Sequence, residues 1–121
     1  MFSLFRKQPA APSLEWNEFT SRPFSGRTSA TADSIDPILT RFIAEPPDSS
    51  AFLILTITPQ TYLQAARRPT GFVLEYQFDD TDQHFECTEN VTPELLSTLF
   101  HLYLDNPAGI VDLAAWKKLD L

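Results

Sequence analysis

The stretch GFVLEYQFDDTDQHFECTE, residues 71–89, alternates apolar and polar residues on both sides of an acidic turn. Successive side chains on a strand point to opposite faces, so this pattern predicts a β-hairpin with one apolar side. Phe72, Leu74, Tyr76 and Phe78 share one face with Phe85 and Cys87, while Val73, Glu75, Gln77, His84, Glu86 and Thr88 share the other. A turn centred between Asp80 and Thr81 places Tyr76 opposite Phe85, Gln77 opposite His84 and Glu75 opposite Glu86. Slipping the register by one residue would turn His84 and Glu86 into the core, so the apolar pattern fixes the pairing.

Two glutamates directly opposite on a sheet repel, and three readings account for them. As a catalytic pair they share a proton or hold a metal with His84. As an acidic binding face they meet Arg or Lys of a partner, aided by Asp79, Asp80 and Asp82 at the turn. As a solvated face they sit in water, where screening makes the repulsion small.

A chain of 121 residues, 43% hydrophobic and with ten Phe, is sized for one domain with a real core. A single cysteine, Cys87, excludes an internal disulfide, and with only two histidines the chain has too few soft ligands for a structural zinc site. The start, MFSLFRKQPAAPS, has its basic residues after a short apolar run, unlike a secretion signal, and no segment approaches the length of a membrane span. The expectation is a soluble cytoplasmic protein. Charge is uneven: residues 1–30 sum to +2 and residues 31–121 to −9. An acidic body repels phosphate backbones and favours basic protein partners, which argues against nucleic-acid binding.

Residues 1–33 are rich in Ser, Thr, Ala and Pro without a sustained period and read as an irregular arm. Trp16, Phe19 and Phe24 within it call for something to pack against, so part of the arm should lie along the domain of residues 34–121. Ile35, Ile38, Leu39, Phe42 and Ile43 form the stripe of an amphipathic helix that Pro46 and Pro47 end. AFLILTIT, residues 51–58, is apolar on both faces and reads as a central strand covered on two sides. Thr58-Pro59, Thr92-Pro93 and Asp36-Pro37 each look like an N-cap followed by proline at the first helical position. The first predicts a short helix over TYLQAARR. The second predicts a longer helix carrying Leu95, Leu96, Leu99, Phe100, Leu102 and Tyr103, stopped at Asn106-Pro107. AAWKKLDL closes the chain as a strand.

The resulting order of elements has the connectivity of a ferredoxin-like βαββαβ unit with an extra N-terminal helix. A meander with helices on one face is the alternative, because the helix over 59–67 is barely long enough for a parallel crossover. Either way the expected class is α+β, with an antiparallel or mixed sheet of three to four strands.

Other candidates for chemistry are weaker. Cys87 and His84 project from opposite faces of their strand, which excludes a local thiolate–imidazole pair and makes Cys87 a small core residue. His101 pairs with Asp105 one helical turn on. DDTD is followed by His84 and Phe85 where a calcium loop needs a ligand and a glycine, and three glycines, Gly26, Gly71 and Gly109, cannot build a phosphate-cradling loop. No metal or nucleotide cofactor is expected. Trp116 with Lys117 and Lys118 is either a core-closing aromatic or an interface anchor. Phe2, Leu4 and Phe5 beside Arg6 and Lys7 have the chemistry to dock on a surface, but the run is too short to assign.

GFVLEYQ, the acidic turn, QHFECTE, the Thr-Pro helix ending at DNP and the terminal Trp116 together resemble small acidic bacterial immunity proteins of polymorphic toxin systems, over residues 51–121. The resemblance implies a cytoplasmic inhibitor that occludes a basic toxin active site without catalysis; the long Pro-rich arm departs from its compact members. Elimination leads to a neighbouring reading: a non-enzymatic module that binds a basic protein through Glu75, Asp79, Asp80, Asp82, His84 and Glu86. The alternatives are a secretion chaperone, usually dimeric, that holds a client in an apolar groove, a structural subunit of a bacterial assembly, and a small hydrolase using the hairpin carboxylates.

Overall fold

The computed structural model describes residues 12–120. Seven strands form one open sheet: β1 (Ser13–Asn17), β2 (Gly26–Ser29), β3 (Phe52–Thr58), β4 (Thr61–Arg68), β5 (Gly71–Phe78), β6 (Asp80–Cys87) and β7 (Trp116–Lys118). Their order is β2-β1-β3-β4-β5-β6-β7, and every neighbouring pair is antiparallel. Helix α1 (Ala32–Ile43) joins β2 to β3, and α2 (Pro93–Asp105) with a 3-10 helix (Pro107–Asp112) joins β6 to β7. The fold is α+β, but the seven-stranded sheet overturns the expected three to four strands and the ferredoxin-like connectivity.

Two local readings account for that correction. The first is TYLQAARR, which is strand β4 and not a helix. Pro59 and Gln60 form the two-residue turn of a hairpin in which Thr58 faces Thr61. Thr61, Leu63 and Ala65 are buried and alternate with half-exposed Tyr62, Gln64 and Ala66. The fixed φ of proline suits a turn as well as a helix start, and the period of two decides between them.

The second is the N-terminal stretch, expected to be irregular over residues 1–33. Its residues 13–17 and 26–29 are strands β1 and β2. Leu14, Trp16 and Phe19 are core residues. Arg41 of α1 fastens the loop between the two strands, donating to the carbonyls of Ser21 and Pro23 at 2.9 and 2.8 Å while its guanidinium lies 4.9 Å from the Phe19 ring. The buried carboxylate of Glu45 accepts from the Thr20 backbone N–H at 3.1 Å. The reading of Phe2, Leu4 and Phe5 as a docking segment falls outside the described residues.

Both helices cover one face of the sheet. Ile35, Leu39 and Phe42 of α1 join Leu96, Leu99, Phe100 and Tyr103 of α2 in a single core with Leu14, Leu53, Leu55, Leu63 and Leu74 from four strands. Helix α2 starts where the sequence places it: the Thr92 hydroxyl accepts from the Leu95 N–H at 3.0 Å and Pro93 is the first helical residue. Helix α1 starts earlier than Asp36-Pro37 suggests. Thr31 and Ser34 form a reciprocal capping box, which satisfies two end groups against the one that Asp36 offers, and Pro37 lies inside the helix. Strand β3 is central between β1 and β4, yet Phe52, Ile54 and Thr56 on its far side remain half-exposed, so it is covered on one face, not two. His101 bonds Asp36 of α1 at 2.7 Å and not Asp105, tying the helices together at their polar edge.

Gly26 lies against the Trp16 ring: a Cβ built there meets ring carbons at 2.3 to 2.8 Å. Trp16 is held by its Nε1–H bond to the Pro23 carbonyl at 3.2 Å and cannot swing away cheaply. Gly26→Ala is expected to cost about 1–3 kcal/mol, the usual penalty of overpacking, seen as a lower urea midpoint with unchanged slope. An unchanged midpoint would show that the β1–β2 hairpin yields freely.

Candidate functional site

The uncovered face of the sheet carries a transverse row of cross-strand neighbours: Arg27, Glu15, Ile54, Gln64, Glu75, Glu86 and Lys117, one from each strand. The Glu75–Glu86 pairing expected from the hairpin pattern is present, as are Tyr76–Phe85 and Gln77–His84. The turn differs. The register shifts after Gln77, so that Phe78 faces Asp80, and Asp79 takes a left-handed φ of 71°.

His84 shares the polar face of the hairpin yet is only 3% exposed, without any slip of register. It is covered by neighbours on its own face. Diagonal positions on adjacent strands lie within reach of long side chains, and Glu75 reaches His84 this way, with Oε1 at 2.7 Å from Nε2. On the other side of the ring, Nδ1 lies 3.2 Å from Gln77 Oε1, and the Tyr62 ring stands edge-on at 6.0 Å. The Gln77 amide is itself placed by Gln60, since its Nε2 donates to the Gln60 backbone carbonyl at 3.2 Å and to Gln60 Oε1 at 2.8 Å.

That orientation has a chemical consequence. With its nitrogen spent on Gln60, Gln77 turns an oxygen toward Nδ1, and Glu75 turns a carboxylate oxygen toward Nε2. Both ring nitrogens therefore face side-chain oxygens. Glu75 is thus engaged by His84, while Glu86 makes no side-chain hydrogen bond among the described residues and has Lys117 as its next neighbour in the row. Glu75 also receives the Gln64 amide at 3.5 Å. Burial, and secondarily the Glu75 charge, push the Tyr62 phenol above its ordinary range.

Beside this network lies a depression of about 230 Å³, lined by Phe52, Ile54, Ala66 and Val73 with Gln64, Glu75 and Arg68 among its polar members. The face is thus neither a plain solvated surface nor a second core. The catalytic reading has Glu75 and Glu86 share a proton or hold a metal with His84, whereas Glu75 Oε1 is bonded to the His84 ring and to the Gln64 amide. Among the described residues, no three His, Cys, Asp or Glu side chains stand close enough to hold a metal ion.

The turn aspartates form a separate feature. Four residues of strand separate Asp79 from Glu75, about 13 Å, so the tip and the glutamate pair are not one cluster. Asp79 is tied to Thr61, whose hydroxyl accepts from the Asp79 N–H at 3.0 Å, and Asp80 Oδ1 accepts from the Asp82 N–H at 2.8 Å. All three aspartates are exposed. Of the six predicted residues, Glu75 and His84 are bonded, Glu86 is beside them in register, and Asp79, Asp80 and Asp82 stand at the far end of the hairpin.

Tyr62 and Gln64 belong to the network but were hidden by the helical reading of residues 59–67. The alternation of Tyr62, Gln64 and Ala66 with Thr61, Leu63 and Ala65 is the signal that finds them. Cys87 is half-buried at the edge of the core, with its thiol pushed up chiefly by that burial.

Removing Glu75 leaves a buried imidazole without its acceptor, whereas neutralising Glu86 relieves a like-charge contact. Glu75→Ala is expected to cost about 1–3 kcal/mol. Glu86→Gln should stay within about 0.5 kcal/mol of the parent, on the stabilising side. Chemical denaturation at neutral pH checks both, and equal losses would mean that His84 does not discriminate between the glutamates.

All three tyrosines ionise above the ordinary 10.0, each chiefly because burial opposes the phenolate, with Tyr103 the furthest displaced. Their folded values are raised, so this contribution to stability is complete below pH 10 and is lost as pH climbs above it. An alkaline titration should show tyrosinate absorbance rising only together with loss of the helical circular dichroism. Tyrosinate at pH 10 in the folded protein would contradict it.

Comparison with known families finds no matching family model, and comparisons with characterised proteins and with solved structures find no match either.

Proposed function

We propose that the protein is a non-catalytic binding module, an immunity-type inhibitor of the cytoplasm that masks a basic protein partner through its acidic hairpin. The observation that carries this reading is the charge of β5 and β6: residues 71–89 hold Glu75, Asp79, Asp80, Asp82, Glu86 and Glu89 and no Lys or Arg. The outer side of that hairpin belongs to a sheet face that neither helix covers. With Glu75 turned to His84, the free anionic contacts are Glu86 on the face and the three aspartates at the tip.

Supporting features are physical. Exposed carboxylates attract Lys and Arg with about 1 kcal/mol per close pair in water, so several must act together, and a hairpin rigidly paired on both sides holds them in fixed spacing. The half-exposed Phe52, Ile54 and Val73 beside them offer the apolar area that a charged patch alone lacks. No helix among the described residues is long and apolar enough to cross a membrane. Against the hydrolase alternative, which needs the hairpin carboxylates, stands the engagement of Glu75 by His84 and Gln64.

The test is capture from the native host on immobilised parent protein and on an Asp80→Asn/Asp82→Asn/Glu86→Gln variant, washed at low and then high salt. Asp79 is left in place because it shapes the turn. A basic protein released by salt from the parent, and retained about tenfold less by the variant, is the expected result. Equal retention by both, or a partner indifferent to salt, would overturn the acidic-face reading.

A further inference from the structure

On the opposite side of the same hairpin, an apolar cavity of about 520 Å³ opens between β5–β7 and the 3-10 helix. Its walls include Tyr76, Phe78, Phe85, Val111 and Trp116, with Gln83 as the polar member. The aromatic floor is built, not loose. Tyr76 stacks on Phe85 with ring centroids 5.0 Å apart and meets Trp116 edge-on at 4.7 Å, and the Trp116 Nε1–H donates to the Ile110 carbonyl at 3.1 Å.

The mouth of this cavity is where exposed apolar surface concentrates. Among the described residues four large hydrophobic side chains are exposed: Phe24, Phe78, Val111 and Leu113. Phe78 (37% exposed) and Val111 (48% exposed) line the mouth, and Leu113 lies two residues beyond Val111. Such clustering marks an interaction site, where scattered single residues would not.

The rim decides what the cavity accepts. The wall residues Phe78 and Gln83 bracket Asp79, Asp80 and Asp82 in sequence, and exposed Asp112 follows Val111 on the other side. The nearest basic residue by register is Lys118, opposite Phe85 on β7 and on the turn side of Trp116, and it is one cation against the carboxylates of Asp79, Asp80, Asp82 and Asp112. An apolar hole with acids at its turn end is complementary to a large apolar side chain flanked by basic residues.

We propose that this cavity takes an aromatic or leucine side chain from the partner protein, on a segment whose neighbouring Lys or Arg residues lie over Asp80, Asp82 and Asp112. A buried aromatic anchor with a charged rim is the usual composition of an interface hot spot. The inference rests on the acidic-hairpin reading above and adds to it the chemistry of the partner segment. It also moves the centre of the contact from the open sheet face to the hairpin's helix side.

A randomised peptide library displayed on phage tests it, selected on the parent protein and counter-selected on Val111→Arg, which blocks the mouth from an exposed position. Enriched sequences are expected to place Trp, Phe or Leu beside Lys or Arg. Synthetic copies should bind at least about tenfold more weakly to Val111→Arg and several-fold more weakly to Asp80→Asn/Asp82→Asn, with both variants giving the parent's circular dichroism. No enrichment, enrichment without basic residues, or equal binding to Val111→Arg would overturn the proposal. So would concentration-dependent dimerisation abolished by Val111→Arg, which assigns the cavity to a second copy of the chain. In host capture, a salt-released basic partner lost by the Asp80/Asp82/Glu86 variant but kept by Val111→Arg removes this inference alone. Retention of the partner by the acidic variant removes the parent reading.

Discussion

The layer of leucines under the two helices determines the rest of the structure. Leu14, Leu53, Leu55, Leu63 and Leu74, from the four neighbouring strands β1, β3, β4 and β5, are all fully buried against α1 and α2. Each is worth about 1.5–3 kcal/mol in that position, and a one-residue slip of any strand exposes its share. A like-charge pair on the far face costs at most about 1 kcal/mol before screening. The core therefore sets the register, and Glu75 faces Glu86 because Leu74 and Tyr76 are inside. His84 then makes the outcome tolerable, by bringing a buried polar ring to the glutamate whose side chain is only a quarter exposed.

That hierarchy explains what could be read from the chain alone. Residues 72–78 of β5 and 84–87 of β6 alternate, and α2 combines a threonine cap, a proline at its first position and a broad apolar face; each has a local signal strong enough to stand without its neighbours. Strand β4 has weaker alternation, ending in Ala65, Ala66, Arg67 and Arg68, and the Thr-Pro dipeptide before it serves equally for a turn. Strands β1 and β2 are short and polar on their outer side. Their place is fixed by tertiary contacts: Trp16 over Gly26, Arg41 on the intervening loop and Glu45 on Thr20. Only the three aromatics hinted that the stretch has a partner.

The candidate site was partly legible for the same reason. Alternation alone places Glu75, Gln77, His84 and Glu86 on one face, and the pairing of Glu75 with Glu86 follows from a turn near Asp80. The depth of His84 does not follow. It requires Tyr62 on β4 and the Gln60 turn, both hidden once residues 59–67 were read as a helix. A histidine on the polar face of a predicted hairpin is ordinarily solvated, and here the adjoining strand supplies the cover.

The hairpin sends two different chemistries in opposite directions from one run of residues. Odd positions of β5, Glu75 and Gln77, with His84 and Glu86 of β6, make a polar face on which histidine is bonded to one of the two glutamates. Even positions, Tyr76 and Phe78, with Phe85, make the aromatic wall of the cavity below. The aspartates at the turn belong to neither face and are available to both. A partner that used only the outer face would meet one unpaired glutamate and a shallow apolar floor; one that used the cavity would gain a desolvated anchor and still reach the acids at the rim. Area removed from water is worth more than exposed charge pairs of the same count, so for the proposed partner the cavity would supply most of the affinity and the aspartates the orientation and salt dependence.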